Sequence, residues 1–302
     1  MCLCGTLSLW KGIGTVMTYC LGIVTKYGLV MASDSRTNAG YDQINVTRKM
    51  HTFVQTGERV FVLVTSGSLS LSQSILTLLR RDFDAGKGLA QASSLYDAAR
   101  VVGEQIRRVS DIDRAALEKD KYNFNVNFLL GGQVKGEKPN LILIYPQGNP
   151  LQATEDSPYL QIGETKYGRP ILDRGIKYDR TTLEEAAKYA LLSMDSTMKS
   201  NVTVGPPVDL LAYSADELDL TRHRRFKEDD ADLTKIRVRW EAALRQGILR
   251  LPNVRFASRP NAGQQPQTET IELVESAVDS DSGAAQQSSP PQRTIKDPVD
   301  QG

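Results

Sequence analysis

The chain has 302 residues, of which 40% are hydrophobic and 24% are charged, and its formal net charge is +1. This composition is typical of a globular protein with a sizeable core, in one large domain or two small ones. A nearly neutral chain has no overall basic field to attract nucleic acid or an anionic membrane surface, so neither is an expected partner.

The three cysteines and residues 1–17 indicate the cellular compartment of the protein. All three cysteines, Cys2, Cys4 and Cys20, lie near the amino terminus, where they cannot cross-link the rest of the chain. That placement favours a reducing compartment, which we interpret as the cytoplasm. Residues 1–17 lack a basic region and are interrupted by glycine, so they predict neither a signal peptide nor a membrane span. We interpret them as a leader with two possible origins. They are either a propeptide cleaved after Met17, or residues that result from a start codon wrongly assigned upstream, in which case Met17 is the true initiator.

Four short apolar runs predict two β-hairpins in the first part of the chain. Residues 18–26 and 28–36 flank the turn sequence KYG, and residues 49–56 and 59–66 flank the turn sequence TGE. The last run, RVFVLVTSG, is apolar enough to predict a strand that is buried on both faces.

Four stretches with helical spacing or clear capping signals predict helices, at residues 68–83, 94–119, 182–199 and 229–247. The third stretch begins with a threonine, and two glutamates follow that threonine within the first turn, which is the pattern of a capping box. The amphipathic pattern of these helices predicts that each covers one face of a sheet.

Alternating apolar residues predict more strands at residues 123–130, 140–145 and 159–163, which we expect to form a second sheet, and a further strand at PVDLLAYS. Gly131-Gly132 is interpreted as a break between strands. The order of elements predicts a layered α+β domain, with two helical layers over two sheets.

Three segments are predicted along the chain: the leader at residues 1–17, a main folded domain at residues 18–256, and a tail at residues 257–302. The tail has no aromatic residue and carries seven acidic against three basic residues. Such a segment cannot bury enough apolar surface to fold, so it is predicted to be a disordered acidic tail.

A set of reactive groups lies at the ends of the predicted strands. Thr18, Asp34 and Lys49 supply a hydroxyl, a carboxylate and an ammonium. A threonine that begins a mature chain carries its own base, because a free α-amine titrates near ~8 and a lysine side chain near ~10.4. Such a nucleophile needs no histidine, and the chain has only His51 and His223. Taken alone, the same residues also fit an ordinary strand threonine and a surface ion pair.

The run from Thr18 to Gly40, TYCLGIVTKYGLVMASDSRTNAG, resembles the start of a mature proteasome-type β subunit. With the preceding methionine and a later VGPP, residues 17–250 are similar to the bacterial ancestral β subunits of that family, called Anbu. The resemblance implies the four-layered αββα sandwich of the N-terminal nucleophile hydrolases, in homo-oligomeric rings or spirals. It also implies a threonine-type peptidase or amide hydrolase that acts on peptide or protein substrates, and it leaves open an ATP-dependent unfoldase as a partner.

The resemblance assigns the remaining site residues. Gly67, at a predicted strand-to-helix junction, corresponds to the glycine whose N–H forms the oxyanion hole. Thr165, or alternatively Glu164, takes the place of a supporting serine, and Asn201 takes the place of a second carboxylate. An amide can orient the Thr18 amine but cannot hold a charge. A proteolytically silent scaffold and a small-molecule amidase are therefore alternative functions.

No cofactor or metal is expected from the sequence. Its paired glycines lack the following Lys-Ser of a phosphate-binding loop and the strand-to-helix context that such a loop requires. The sequence also shows no cluster of histidine, cysteine and carboxylate residues with the spacing of metal ligands.

Overall fold

The computed structural model describes residues 18–38 and 44–256 of the chain. The predicted leader, residues 1–17, and the predicted acidic tail, residues 257–302, lie outside the described residues. Within the described ranges, no helix is both long enough and apolar enough to cross a membrane.

The chain divides into two compact units, the first extending to Leu251 and the second beginning at Pro252. The first unit contains every helix and strand of the described residues. In the second unit, residues 252–256 are exposed and have no regular secondary structure. The bounds of the main folded domain, residues 18–256, stay a prediction.

Six strands come first along the described chain: β1 (Tyr19–Thr25), β2 (Gly28–Ser33), β3 (Arg36–Asn38), β4 (Ile44–Val46), β5 (Met50–Gln55) and β6 (Arg59–Gly67). Strands β1 and β2 pair antiparallel, as do β5 and β6, so both predicted hairpins are confirmed. Every residue of β1 and β2 is buried, because these strands have covering layers on both faces. The short pair β3–β4 was not predicted.

Six more strands follow: β7 (Val126–Val134), β8 (Asn140–Ile144), β9 (Pro150–Gln152), β10 (Tyr159–Gly163), β11 (Val208–Ser214) and β12 (Arg222–Phe226). One sheet has the order β10-β1-β2-β11-β12 and the other β5-β6-β7-β8-β9. The prediction that the later strands form a sheet of their own is therefore wrong. The two early hairpins belong to different sheets, and each sheet is completed by strands from much later in the chain.

The described helices are α1 (Leu69–Asp84), α2 (Leu95–Lys119), α3 (Arg169–Gly175), α4 (Leu183–Ser200) and α5 (Ala231–Leu249), with a short 3-10 helix at Gly88–Gln91. Helices α1 and α2 bury their apolar faces on the β5–β9 sheet. Helix α4 covers the other sheet, with α3 and α5 packed beside it. The four predicted helices are confirmed, whereas the 3-10 helix and α3 were not predicted.

A third core lies between the two sheets, and it completes the four-layered αββα sandwich that the resemblance implies. Gly131 and Gly132 lie inside β7 rather than at a break, so that interpretation is wrong. A Cβ on Gly131 would contact Met31 of the facing sheet closely, and one on Gly132 would overlap the carbonyl oxygen of Val60. The two glycines therefore allow close approach of neighbouring chain segments within a continuous strand.

The start of α4 shows how local sequence sets an element boundary. The Thr182 hydroxyl accepts a hydrogen bond from the Glu185 N–H at 3.2 Å, and the Glu185 carboxylate accepts one from the Thr182 N–H at 2.9 Å. This reciprocal pair is the predicted capping box, and it satisfies two amide groups that a helix start leaves without partners. The other end of α4 is the C-cap residue Asn201, which lies in the candidate site.

Candidate active site

Three strand ends bring the predicted reactive residues into the buried interior of the protein. Thr18 immediately precedes β1, Asp34 immediately follows β2, and Lys49 immediately precedes β5. Their exposed fractions are 2%, 0% and 5%, so none of them is a surface residue. A surface ion pair, which was the alternative interpretation of Asp34 and Lys49, is therefore ruled out.

A buried ion pair joins two of these residues. The Lys49 ammonium donates a hydrogen bond to Asp34 Oδ1 at 2.7 Å and another to the carbonyl oxygen of Arg36 at 2.6 Å. The neighbouring Arg48 is exposed, so the structure places the lysine and not the arginine against the carboxylate. Burial of two charges is costly unless both find partners, and here each charge has the other and a further main-chain group.

The Asp34 carboxylate also accepts two main-chain hydrogen bonds. Tyr19 donates its N–H to Oδ1 at 3.1 Å, and Gly205 donates its N–H to Oδ2 at 3.4 Å. Burial raises the pKa of Asp34, whereas the Lys49 ammonium and the two N–H groups act in the opposite direction. Because Tyr19 is the residue that follows Thr18, the ion pair is connected by one peptide unit to the candidate nucleophile.

The main chain of Thr18 is fixed on its other side by β10. The Glu164 N–H donates a hydrogen bond to the Thr18 carbonyl oxygen at 2.7 Å, and Tyr19 pairs with Gly163. Gly163 has a φ of +87°, and a Cβ there would overlap the Thr18 carbonyl oxygen. Glycine at this position therefore permits the close approach on which the bond to Thr18 depends.

The Tyr19 side chain anchors β1 to the helical layer that covers it. Its phenol shares a hydrogen bond of 2.6 Å with the hydroxyl of Ser193 on α4 and accepts a hydrogen bond from the Gln161 amide. Burial raises the pKa of this phenol to about 12, so it stays neutral at physiological pH. The backbone next to Thr18 is thus held by main-chain and side-chain contacts.

Gly67 is the last residue of β6 and directly precedes Ser68, the N-cap of α1. Its φ is +98°, and a Cβ would overlap the carbonyl oxygen of Asn125. Both facts explain why this junction requires glycine. The location agrees with the predicted strand-to-helix turn, and the role of the Gly67 N–H as an oxyanion donor stays a prediction.

The remaining predicted residues lie on the loop after β10 and at the end of α4. The Asn201 amide nitrogen donates to Glu164 Oε2 at 3.1 Å, and Asn201 Oδ1 accepts hydrogen bonds from the N–H and the hydroxyl of Thr203. Glu164 is 5% exposed, whereas Thr165 is half-buried and its carbonyl oxygen accepts the N–H of Arg169. Of the two alternatives, Glu164 contacts Thr18 through its main-chain N–H and Asn201 through its carboxylate.

The groups assembled here are of the kinds that acyl transfer uses. The described part of the chain holds no group of three or more histidine, cysteine, aspartate or glutamate residues that could bind a metal ion. What the site offers is a hydroxyl, a buried ammonium with its counter-ion, and a second buried carboxylate.

Comparisons with known proteins show the family to which the chain belongs. Residues 17–211 match the family described as Proteasome subunit. The proteasome subunit beta of Haloferax volcanii is 26% identical over 211 residues, which cover 70% of this chain and 79% of that protein.

Two solved structures of bacterial ancestral β subunits are more similar in sequence. Anbu from Yersinia bercovieri is 44% identical with a TM-score of 0.75, and the match covers 80% of this chain and 100% of that one. The helical assembly of the Anbu complex from Pseudomonas aeruginosa is 46% identical with a TM-score of 0.74, covering 82% and 100%. The predicted resemblance is therefore confirmed: the chain belongs to the proteasome subunit family and is similar to its bacterial Anbu members.

Proposed function

We propose that this protein is a threonine-type amide hydrolase that cleaves peptide bonds, with Thr18 as its amino-terminal nucleophile. The observation that carries the proposal is the buried Lys49–Asp34 pair, whose carboxylate also accepts the N–H of Tyr19, the residue next to Thr18. A buried ammonium held at this point favours the negative charge that develops on an attacking hydroxyl.

The reaction needs the α-amine of Thr18 to be free, so the residues before it must be removed. Thr18 Oγ1 then bonds to the substrate carbonyl carbon while its proton passes to the α-amine, directly or through a water. The carbon–nitrogen bond breaks as that proton is delivered to the leaving amine. A water molecule hydrolyses the resulting ester by the same route, which restores the hydroxyl.

Other groups support the charged intermediate in this scheme. The Gly67 N–H is proposed to donate to the oxyanion, because glycine at the β6–α1 junction lets the substrate approach the backbone closely. Lys49 stabilises the nucleophile, and Asp34 holds the Lys49 ammonium in place through their ion pair. Thr165 is proposed only as a lining residue, since it is half-buried and bonded through its main chain to the start of α3.

We propose that the protein works as a cytoplasmic homo-oligomer that limits access to the site. The support is similarity to the Pseudomonas aeruginosa protein, whose structure is described as a helical assembly of the Anbu complex. Light scattering and electron microscopy test this part, and a single-chain mass at every concentration would contradict it.

A direct test combines covalent labelling with substrate screening. Purified protein is treated with an inhibitor that reacts only with a hydroxyl and an adjacent free amine, and the labelled peptide is sequenced by mass spectrometry. We expect one label on Thr18 and none on the Thr18→Ala variant. Peptide and small-amide libraries, compared between the two proteins, then separate a peptidase from a small-molecule amidase. A folded, assembled protein with neither label nor turnover would favour the silent scaffold.

A further inference from the structure

Glu164 is a buried carboxylate beside the proposed nucleophile. Continuing the antiparallel register of β1 and β10 by one residue places Glu164 opposite Thr18, and its N–H donates to the Thr18 carbonyl oxygen at 2.7 Å. Residues directly opposite each other across such a pair have Cβ atoms roughly 4.5–5.5 Å apart. The Glu164 side chain is 5% exposed, so its charge is largely removed from water.

The partners of this carboxylate compensate its charge only weakly. The Asn201 amide donates to Oε2 at 3.1 Å, but an amide carries no net charge. The Lys166 ammonium lies 3.5 Å from Oε1, but its side chain is 69% exposed and its attraction is screened by water. A buried carboxylate in this position gains from a cation on its buried side.

We propose that Glu164 is a positioning residue for Thr18: its carboxylate attracts and orients the ammonium form of the freed Thr18 α-amine, and Asn201 holds that carboxylate in place. This inference rests on the proposed function. The family resemblance implies a carboxylate at position 201 and a hydroxyl near position 164. In this chain position 201 is an amide, and the carboxylate is instead on the loop after β10. The amide at position 201 becomes the group that orients it.

The sign of the effect follows from electrostatics. A negative charge within ~4–6 Å stabilises an ammonium, so Glu164 should raise the pKa of the Thr18 amine, and removal of the charge should lower that pKa. Among the described residues, the other ionisable groups around Thr18 include Asp34, Lys49, the phenol of Tyr19 and the buried thiol of Cys20, together with Lys166 on the outer side. All of them are retained when Glu164 is changed to glutamine, so the shift reports the charge of Glu164.

The test measures the amine itself as well as catalysis. Mature protein is acetylated with acetic anhydride at a series of pH values, and the modified fraction of the Thr18 amine is measured by peptide mass spectrometry. We expect Glu164→Gln to lower the pKa of this amine by about 1 unit. The acid limb of peptide hydrolysis should move to lower pH by a similar amount. Lys166→Gln is the matched control and should produce a much smaller shift.

A charge-exchange variant separates positioning from folding. The double variant Glu164→Gln, Asn201→Asp moves the carboxylate to the other side of the same hydrogen bond. It should return the amine pKa at least halfway to the wild-type value and restore part of kcat with little change in KM. Glutamine at position 164 keeps nearly the same shape, and thermal unfolding and light scattering check that each variant folds and assembles.

The outcomes distinguish this inference from the proposed function. A labelled, active protein whose amine titrates identically with and without the Glu164 charge overturns the inference alone. A free amine that shifts as expected in a protein without turnover supports the inference but overturns the proposed peptidase. A chain whose residue 18 never acquires a free amine overturns both.

Discussion

At the scale of single residues, the site is built around one buried charge pair. The side chains of Lys49 and Asp34 are 6% and 0% exposed, and their 2.7 Å contact is supplemented by main-chain groups on both sides. An ion pair taken out of water adds little net stability, because desolvation offsets most of the attraction. Its retention in the interior is better explained by the chemistry proposed for Thr18 than by folding.

The first prediction concerns this coupling. Lys49→Ala and Asp34→Ala should each lower the free energy of unfolding by about 3–5 kcal/mol, because each leaves one buried charge without its partner. The double variant should lose less than the sum of the two single losses. Urea denaturation of the wild type, the two single variants and the double variant measures this double-mutant cycle.

The same variants test the chemistry. Lys49→Ala should lose covalent labelling of Thr18, while Lys49→Arg restores the charge and serves as the control for stability. Strictly additive losses in the cycle would contradict the coupling. Normal labelling of Lys49→Ala would mean that another cation supports the nucleophile.

The second prediction concerns the glycine at the β6–α1 junction. Gly67→Ala should destabilise the protein by about 2–4 kcal/mol, because φ is +98° and a Cβ would overlap the Asn125 carbonyl. Gly57→Ala is the matched control, since Gly57 has a φ of +79° but no atom within 4 Å of a Cβ. The control should lose about 1 kcal/mol. Equal losses in urea denaturation would show that only backbone strain matters at Gly67.

The third prediction is a pH dependence carried by Tyr19. Burial raises the pKa of its phenol from 10.0 to about 12, so the stability it contributes is present below pH 10 and lost as the pH rises through about 12. The loss from this group should be on the order of 2–3 kcal/mol, and Tyr19→Phe should not show it. Urea denaturation across this pH range gives the measurement.

The control for Tyr19 is Tyr159, whose pKa burial also raises to about 12 but which is only half-buried. The alkaline loss of stability contributed by Tyr159 should be smaller, because solvent screens a partly exposed group. A Tyr19→Phe variant with the same alkaline loss as the wild type would mean that other groups are responsible.

The strand ends that carry Thr18, Asp34 and Lys49 could be predicted from local turn signals, whereas their selection as a site depended on the resemblance to proteasome-type β subunits. The roles predicted for them and for Gly67 await experiment. Glu164 could be named only as an alternative to Thr165, because its contacts with Thr18 and Asn201 join parts of the chain that no local pattern connects. One available signal was an acidic residue directly after the predicted strand at residues 159–163.

At the scale of elements, boundaries set by local chemistry were predicted well and pairings set by distant contacts were not. The hairpins and α4 carry their turn and capping signals within a few residues. The division of the hairpins between two sheets depends on the partners β7 and β11, which come from late in the chain. The glycines of β7 resembled a break, because the neighbours that require small residues, such as Met31, lie on another strand.

The fourth prediction tests the capping box of α4. Thr182→Ala should destabilise the protein by about 1 kcal/mol, because the Glu185 N–H loses its hydroxyl partner. Glu184→Gln, in the same first turn, changes only a charge near the helix start and should cost a few tenths of that amount. Thermal unfolding compares the variants, and a Thr182→Ala protein as stable as the wild type would show that packing alone fixes this helix start.

At the scale of the whole molecule, two helical layers enclose two sheets, and strands β1 and β2, which adjoin Thr18 and Asp34, are buried on both faces. This arrangement surrounds Asp34 and Lys49 with low-dielectric material and aligns the start of β1 with the ends of β2 and β10. Thr18, the residue before β1, therefore lies beside this buried pair, and on the proposed mechanism it becomes reactive only when the chain begins there. The account therefore depends on the covalent state of Thr18.

The fifth prediction, an intact-mass measurement, tests that dependence most directly. The intact mass of the purified protein is measured by mass spectrometry before and after treatment with the hydroxyl- and amine-dependent inhibitor, with Thr18→Ala as the control. We expect a chain that starts at Thr18 and gains the mass of one inhibitor, and a control that gains none. An active hydrolase that still carries residues 1–17, or one labelled at a residue other than Thr18, would contradict the central claim.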